Sequence, residues 1–291
     1  MLLIADSGST KCDWMLIKDN EEKISFSTMG FNPYFHNEAV ISNAIRQNAE
    51  LCDFAPEVKM LFLYSAGCSS KELKLVVERA LRSVFVNANI YVDHDLVGAA
   101  FATWDENPAI TGILGTGSNS CYFDGDIVKQ AHSGLGLGYI LGDEGSGSYY
   151  GKFLLRRYLN NQLPDVIYNT LHDEYKLDRN IIVENVYMKP HANVYLASFM
   201  KVLSDNKTLP WVQELVDKGM LDFFESHIIV YKNYARVPVH FIGSIAYHFE
   251  ENLRKVATSM NIQVGTIIKK PIYGLVNYHM KHHFSKKITK A

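Results

Sequence analysis

Cysteine is scarce: four residues in 291, at positions 12, 52, 68 and 121. They are too few and too scattered for a disulfide framework, and no pair has the CxxC spacing of a structural zinc site. Reduced thiols in a cytoplasmic protein are the expectation. An excess of one charge is lacking too. Lys and Arg number 29 against 31 Asp and Glu, a formal net charge of -2, so binding driven by bulk attraction to nucleic-acid phosphates is not expected. No run approaches the ~18 consecutive apolar residues of a membrane span. Met1–Ile4 leads straight to Asp6, without a basic n-region or a long apolar h-region, so no signal peptide is expected. The sequon Asn206-Lys207-Thr208 is of a kind that arises by chance.

Several chemical signatures are missing as well. No GxxxxGK[ST] phosphate loop occurs, and the glycines 134, 136, 138 and 142 lack GxGxxG spacing. No GxSxG offers a nucleophile elbow. His279 and His283 form an i,i+4 pair without the glutamate of HExxH, and with His282 they read as surface histidines. The Lys281–Lys290 stretch, with four lysines, reads as a solvated end.

What is present is a globular composition, 47% hydrophobic and 21% charged, long enough for one large domain or two. Leu2–Ala5, Cys12–Ile17 and Lys23–Met29 read as an antiparallel meander punctuated by Asp6–Thr10 and Asp19-Asn20. A helix over Glu38–Leu51, a strand at Met60–Tyr64, a helix over Lys71–Val86, a strand at Asn89–Val92 and a helix over Leu96–Thr103 follow. Ala109–Leu114, Asn119–Phe123 and Ile127–Ala131 form a second meander, roughly 110 residues after the first. Thereafter helices are expected at about 146–160, 190–205, 209–232 and 244–259, with strands at Val239–Gly243 and Ile262–Thr266. A tight hinge is expected near Glu106-Asn107-Pro108. The predicted boundaries are a domain over 1–107 and a domain over 108–291, leaving open that the C-terminal helix packs back on the first.

Both meanders open with an apolar strand running into a turn of small, hydroxyl-bearing residues. In Asp6-Ser7-Gly8-Ser9-Thr10-Lys11, backbone amides can approach an anion, the hydroxyls and Lys11 add donors, and the acid can orient a hydrated Mg²⁺. Gly115-Thr116-Gly117-Ser118 repeats the arrangement; either turn alone is equally an ordinary hairpin. Asp95 begins a helix after a strand. It fits a helix N-cap and also a general base poised over a hydroxyl. Gly136–Gly147 is dense in glycine, so backbone can come close to a ligand, and Asp143 and Glu144 could accept from sugar hydroxyls. Gly243-Ser244, between a strand and a helix, could seat an adenosine or phosphate edge.

The order of these features resembles the sugar kinase/hsp70/actin superfamily of two-domain ATPases. Within it, Leu114-Gly-Thr-Gly-Ser-Asn119 and Leu141-Gly-Asp-Glu-Gly-Ser146 are similar to the BadF/BadG-type ATPase family, in its N-acetylglucosamine kinase branch. Gly30-Phe31-Asn32-Pro33 resembles that family's sugar-binding turn. The resemblance is clear over residues 1 to about 150, and thinner beyond, where it rests on Phe241–Ala246 and Pro271–Leu275. It implies two ribonuclease-H-like (actin-like ATPase) α/β domains with a central cleft.

The resemblance implies roles as well. Asp6 positions Mg²⁺. Ser9, Thr10 and Lys11, with Gly115, Thr116 and Gly117, hold the ATP phosphates, and Gly243 and Ser244 the adenosine side. Asp95 takes the proton from a sugar 6-hydroxyl. Asn32, Asp95, Ser118, Asn119, Gly136, Leu137, Gly138 and Asp143 contact the sugar. The first loop reads DSGST where the family usually has DGGGT, and the adenosine strand ends Gly-Ser rather than Gly-Gly. The family's dehydratase-activating branch needs cysteines for an iron–sulfur cluster, and none occurs in Asp143–Gly151 or the helix after it. The expectation is ATP-dependent phosphorylation of O6 of N-acetylglucosamine or a related amino sugar, by a cytoplasmic homodimer without nucleic-acid or membrane partners. The alternatives are a kinase for N-acetylmuramic acid or another hexose, or a non-catalytic nucleotide- or sugar-binding sensor.

Overall fold

A computed structural model describes residues 1–131 and 136–284. Gly134 of the glycine run, and the part of the Lys281–Lys290 stretch beyond residue 284, lie outside the described residues. The chain divides into two units, Met1–Asp105 with the stretch from Lys270 onward, and Glu106–Lys269.

In the first unit, β1 (Leu2–Ser7), β2 (Lys11–Ile17), β3 (Lys23–Met29), β4 (Met60–Ser65) and β5 (Asn89–His94) form one sheet in the order β3-β2-β1-β4-β5. The meander β1–β2–β3 is antiparallel, whereas β4 runs parallel to β1 and β5 parallel to β4. β1 has neighbours on both edges and apolar cover on both faces, which is why Leu2–Ala5 is continuously apolar rather than alternating. Leu3 and Ala5 join Trp14, Leu16, Leu61 and Leu63 on one face; Leu2 and Ile4 join Met15, Phe62 and Tyr64 on the other. Each of the fully buried leucines and Ile4 contributes about 1.5–3 kcal/mol. β1 extends two residues beyond its apolar run, so Asp6 and Ser7 are strand residues rather than turn residues.

Pro271–His279 is a helix of this same unit. It lies against the helix Asp95–Thr103, with the Phe101 and Tyr278 rings stacked at 4.1 Å. Tyr64 Oη and His279 Nε2 are 2.9 Å apart. His279 is therefore buried, not a surface histidine as its spacing predicts.

In the second unit, β6 (Ala109–Leu114), β7 (Ser118–Phe123), β8 (Val128–Lys129), β9 (Val239–Ile242) and β10 (Val264–Ile268) are ordered β10-β9-β6-β7-β8. β6 and β7 are antiparallel, and β9 and β10 continue the sheet in parallel with β6. The two meander-headed mixed sheets are the α/β fold that the sequence leads one to expect. β8 is shorter than the predicted Ile127–Ala131, because Asp124 Oδ1 accepts the amides of Asp126 and Ile127 and holds the turn. The helix expected over Glu38–Leu51 breaks into Glu38–Arg46 and Ala49–Asp53, since Asn48 Oδ1 caps the Leu51 amide at 3.0 Å. The 190–205 and 244–259 regions each contain two helices, not one. Short helices at Asp165–Asn169 and Arg179–Val183 were not expected from the sequence.

Candidate active site

In the first unit the candidate residues gather at the carboxyl end of β1, β4 and β5. This is where ligands bind in open α/β sheets, because strand ends and helix starts leave backbone groups to offer. Parallel register sets Ser7 beside Ser65 and Ser65 beside His94. Ser7 Oγ accepts the Phe31 amide at 2.7 Å, and Ser65 Oγ donates to the Phe31 carbonyl at 2.7 Å. Two buried hydroxyls thus pin Gly30–Asn32. Asn32 Oδ1 accepts from the Tyr34 amide at 3.0 Å, leaving its Nδ2 as the group to present. The Asn32 side chain rests on Gly67: a Cβ there would stand 2.3 Å from Asn32 Oδ1.

Asp6 is the cross-strand neighbour of Asp13. Burial pushes its carboxyl up to about 7, with the charges of Asp95 and Asp13 adding to the rise. Lys11 Nζ sits 2.5 Å from Asp13 Oδ1, so this cation is paired with Asp13. The loop that follows Asp6 closes with the Gly8 amide donating to the Lys11 carbonyl at 3.0 Å; Ser9 is half-buried and Thr10 exposed. A half-buried carboxyl pressed by two like charges fits a divalent cation, which would relieve the repulsion. Among the described residues no group of three or more His, Cys, Asp or Glu stands together.

Asp95 is the first residue of the helix Asp95–Thr103, and His94 is its N-cap, accepting the Leu96 amide through Nδ1 at 3.3 Å. The capping reading of Asp95 is therefore corrected: the ring next to it does that work. Asp95 Oδ1 is buried and accepts no hydrogen bond, although His94 Nδ1 is 3.0 Å away. Burial pulls the His94 imidazole down, but the adjoining Asp95 charge and hydrogen-bonding capacity, with Asp93, carry it above its usual value. His94 was not singled out from the sequence; a histidine beside an aspartate at a strand end was the available signal.

In the second unit the Gly115–Gly117 loop is tied down by the helix Gly147–Leu159. The Gly147 amide donates to the Gly115 carbonyl at 2.8 Å and the Ser148 amide to the Thr116 carbonyl at 3.0 Å. Because a trans peptide sets its N–H opposite its C=O, the amides of Thr116 and Gly117 point away from that helix. That is a geometry for an anion. Gly243, at φ +112°, passes directly over this loop: a Cβ on it would stand 2.3 Å from the Leu114 carbonyl oxygen. Only glycine lets β9 turn here, and it leads into exposed Ser244.

Asp143 sits beside the same loop. Its Oδ1 accepts the Ser118 amide at 3.2 Å and its Oδ2 the Ser148 hydroxyl at 3.4 Å. Burial raises the Asp143 carboxyl, opposed by those bonds and by Lys152. Ser118 Oγ is buried with no hydrogen-bond partner. Asn119 Oδ1 accepts from the Ser120 amide and Gln130, and its Nδ2 faces Gly136. Leu137 is exposed, and Gly138 opens the turn Gly138–Leu141. Glu144 pairs with His227 Nε2 at 3.2 Å, a partner that sequence spacing could not reveal. Each unit thus holds one constellation: Asp6, Ser9, Thr10, Lys11, Asn32 and Asp95 in the first, and the remaining candidates in the second.

No protein-family model matches the chain, and no curated protein matches it. Solved structures do. A Porphyromonas gingivalis protein described as "Putative N-acetylglucosamine Kinase" is 35% identical, with a TM-score of 0.89 over 97% of this chain and all of that one. The chain belongs to the same family as that protein. A Chromobacterium violaceum protein of the same description is 17% identical, TM-score 0.64, over 95% of this chain and 98% of the other. A Streptomyces griseus ROK family glucokinase, solved with glucose and AMPPNP, is 13% identical, TM-score 0.56, over 95% and 97%. These two share the fold alone, the actin-like ATPase architecture of sugar kinases. Among the described residues no helix is long and apolar enough to cross a membrane.

Proposed function

We propose that this protein is an ATP-dependent sugar kinase that phosphorylates O6 of N-acetylglucosamine or a related amino sugar. The observation that carries the reading is Asp95 Oδ1: a buried carboxylate oxygen with no hydrogen bond, at the carboxyl end of the parallel strands β1, β4 and β5, in a chain 35% identical to a protein described as a kinase of that sugar. Burying such an acceptor without a donor is unfavourable unless a ligand supplies one. A sugar hydroxyl is a donor of the right kind, and its proton is the one that must leave when oxygen attacks a phosphoryl group. The motifs Leu114–Asn119 and Leu141–Ser146 further support placing the chain in the BadF/BadG-type family.

In this reading Asp95 accepts the hydroxyl proton. Asn32 Nδ2, Ser118 Oγ and Asn119 orient the sugar, and Gly136–Gly138 let backbone approach it. Asp143 holds the Ser118 amide in place. The Gly8–Lys11 and Gly115–Gly117 loops bind phosphate oxygens, with Gly243 and Ser244 on the adenosine side. Asp6 would hold Mg²⁺, which when bound neutralises charge on the phosphates. Excluding water is then the remaining demand, because water competes as the acceptor.

The test is ADP release from Mg-ATP with N-acetylglucosamine, N-acetylmuramic acid, glucosamine, glucose or no sugar. Turnover confined to N-acetylated sugars, with the 6-phosphate identified by NMR, supports the proposal. Turnover on glucose alone moves it to another hexose. Nucleotide binding without sugar-dependent turnover replaces it with a sensor.

A further inference from the structure

A second concavity lies in the Glu106–Lys269 unit, apart from the residues assigned above. It encloses about 850 Å³, within the range of about 300–1,000 Å³ typical of pockets for small organic ligands. Its walls come from the helices Gly147–Leu159 and Arg179–Val183 and the segment that follows the latter. Phe153, Leu155, Ile182, Val186 and Leu196 make it apolar. Tyr187 and Ile140 stand at its edge, 79% and 72% exposed, an unusual cost for a surface with nothing to cover.

Its rim is basic. Lys152, Arg156, Arg179 and Lys218 all line it. Lys152 Nζ is committed to the Tyr139 carbonyl. Among the described residues the other three have no carboxylate within ion-pair distance. Of the nearby acids, Asp222 Oδ2 accepts from the lining residue Tyr149 through its Oη at 2.5 Å, and Glu184 pairs with Lys189 at 2.8 Å. Three cations without an ion-pair partner around an apolar floor are complementary to an anion that carries its own apolar body. They are not complementary to a second copy of the same face, which would bring like charges together.

The geometry points to a binding site for a small anionic amphiphile, an aliphatic or aromatic body ending in a carboxylate, sulfonate or phosphate. The apolar part lies against Phe153, Ile182 and Val186, and the head group is held by Arg156, Arg179 and Lys218. An inorganic anion would leave the floor wet, and a neutral lipid would leave the cations unused. This inference does not depend on the kinase reading, since the test is binding.

The test uses 8-anilinonaphthalene-1-sulfonate and its uncharged relative N-phenyl-1-naphthylamine on the full chain, followed by fluorescence, with dodecanoate as competitor. Saturable one-to-one binding of the sulfonate, displacement by dodecanoate and weakening by added salt are expected. Arg156→Glu with Arg179→Glu should weaken the sulfonate about tenfold while the neutral dye changes less than about threefold. Val186→Trp, which fills the floor, should abolish both, with the melting temperature of each variant showing that it is folded. Sulfonate binding indifferent to the charge reversal, or to Val186→Trp, overturns the proposal. So does a wild-type dimer that excludes the dye until diluted to monomer, which would assign the concavity to a second copy.

Discussion

His94 Nδ1 lies 3.3 Å from the Leu96 amide that it caps and 3.0 Å from Asp95 Oδ1. One nitrogen cannot serve both. Unprotonated, it accepts from the helix amide and leaves Asp95 Oδ1 open; protonated, it donates to Asp95 and occupies the oxygen that would take a proton from substrate. The Asp95 charge holds the imidazole above its usual 6.5, so activity should fall as pH drops through a midpoint above 6.5. His94→Asn keeps a capping oxygen and removes the titration, so its kcat should flatten over that acid limb. A wild-type limb surviving in His94→Asn would remove His94 from the pH response.

Asp95→Asn should lower kcat by roughly 10²–10⁴, the range for loss of a general base, with sugar KM little changed. The amide is isosteric, so circular dichroism and melting temperature should match wild type. Near-normal turnover in that variant would take Asp95 out of the chemistry.

Asp6 connects the site to stability. Its folded value of about 7 lies above the 3.8 of an unperturbed carboxyl, so folding favours the protonated form. The stability contributed is fully present below pH 4 and is lost as pH rises through 7. In metal-free protein, Asp6→Asn should therefore be nearly neutral at pH 4 and more stable than wild type at pH 8, by at most about 4 kcal/mol. Thermal melts across that range measure the difference. Mg²⁺ should raise the wild-type melting temperature at pH 8 and leave Asp6→Asn unmoved, while the same substitution should depress turnover. A pH-independent difference between the two proteins would mean that Asp6 is ionised as easily folded as unfolded.

Much of the sheet architecture was legible because it is punctuated. Asp6–Thr10 and Gly115–Ser118 interrupt apolar runs with residues that favour turns, and the runs between them are β1, β2, β6 and β7. Asn48 escaped notice as a break, since a cap inside a helical period differs from an ordinary polar position only by where its side chain points. The short helices at Asp165–Asn169 and Arg179–Val183 were missed because each buries only one side chain fully, Ile167 and Ile182 respectively, too few to set a period. His279 was misjudged for another reason. Its partner Tyr64 is 215 positions away, and no local pattern carries a pairing of that span. The motif residues of the candidate site were named from the sequence, but not the groups that orient them: His94 beside Asp95, the Ser7 and Ser65 hydroxyls on Phe31, and His227 on Glu144.

Gly243 tests whether β9 must pass so close to the Gly115–Gly117 loop. Gly243→Ala would place a methyl 2.3 Å from the Leu114 carbonyl oxygen at a φ of +112°. The backbone strain alone costs about 1–3 kcal/mol, and the clash adds to it by displacing either the strand end or the loop. Melting temperature should drop, and ATP KM should rise more than sugar KM. A variant as stable as wild type with unchanged ATP KM would show that the loop and strand end yield freely and that their contact does not set the phosphate geometry.

Asp143 separates support from contact. It accepts the Ser118 amide and the Ser148 hydroxyl, and it does so at φ +60°, a conformation aspartate adopts at some cost. Asp143→Ala strands the buried Ser118 amide, a penalty of about 1–3 kcal/mol, while the Ser148 hydroxyl keeps Ser146 Oγ at 3.1 Å, and it frees the Ser118 segment to drift. If Asp143 orients the sugar side, sugar KM should rise severalfold while ATP KM stays near wild type. Asp143→Asn retains an acceptor for one donor and should recover part of that loss. A fall in melting temperature with both KM values intact would reduce Asp143 to a brace between β7 and the helix that begins at Gly147.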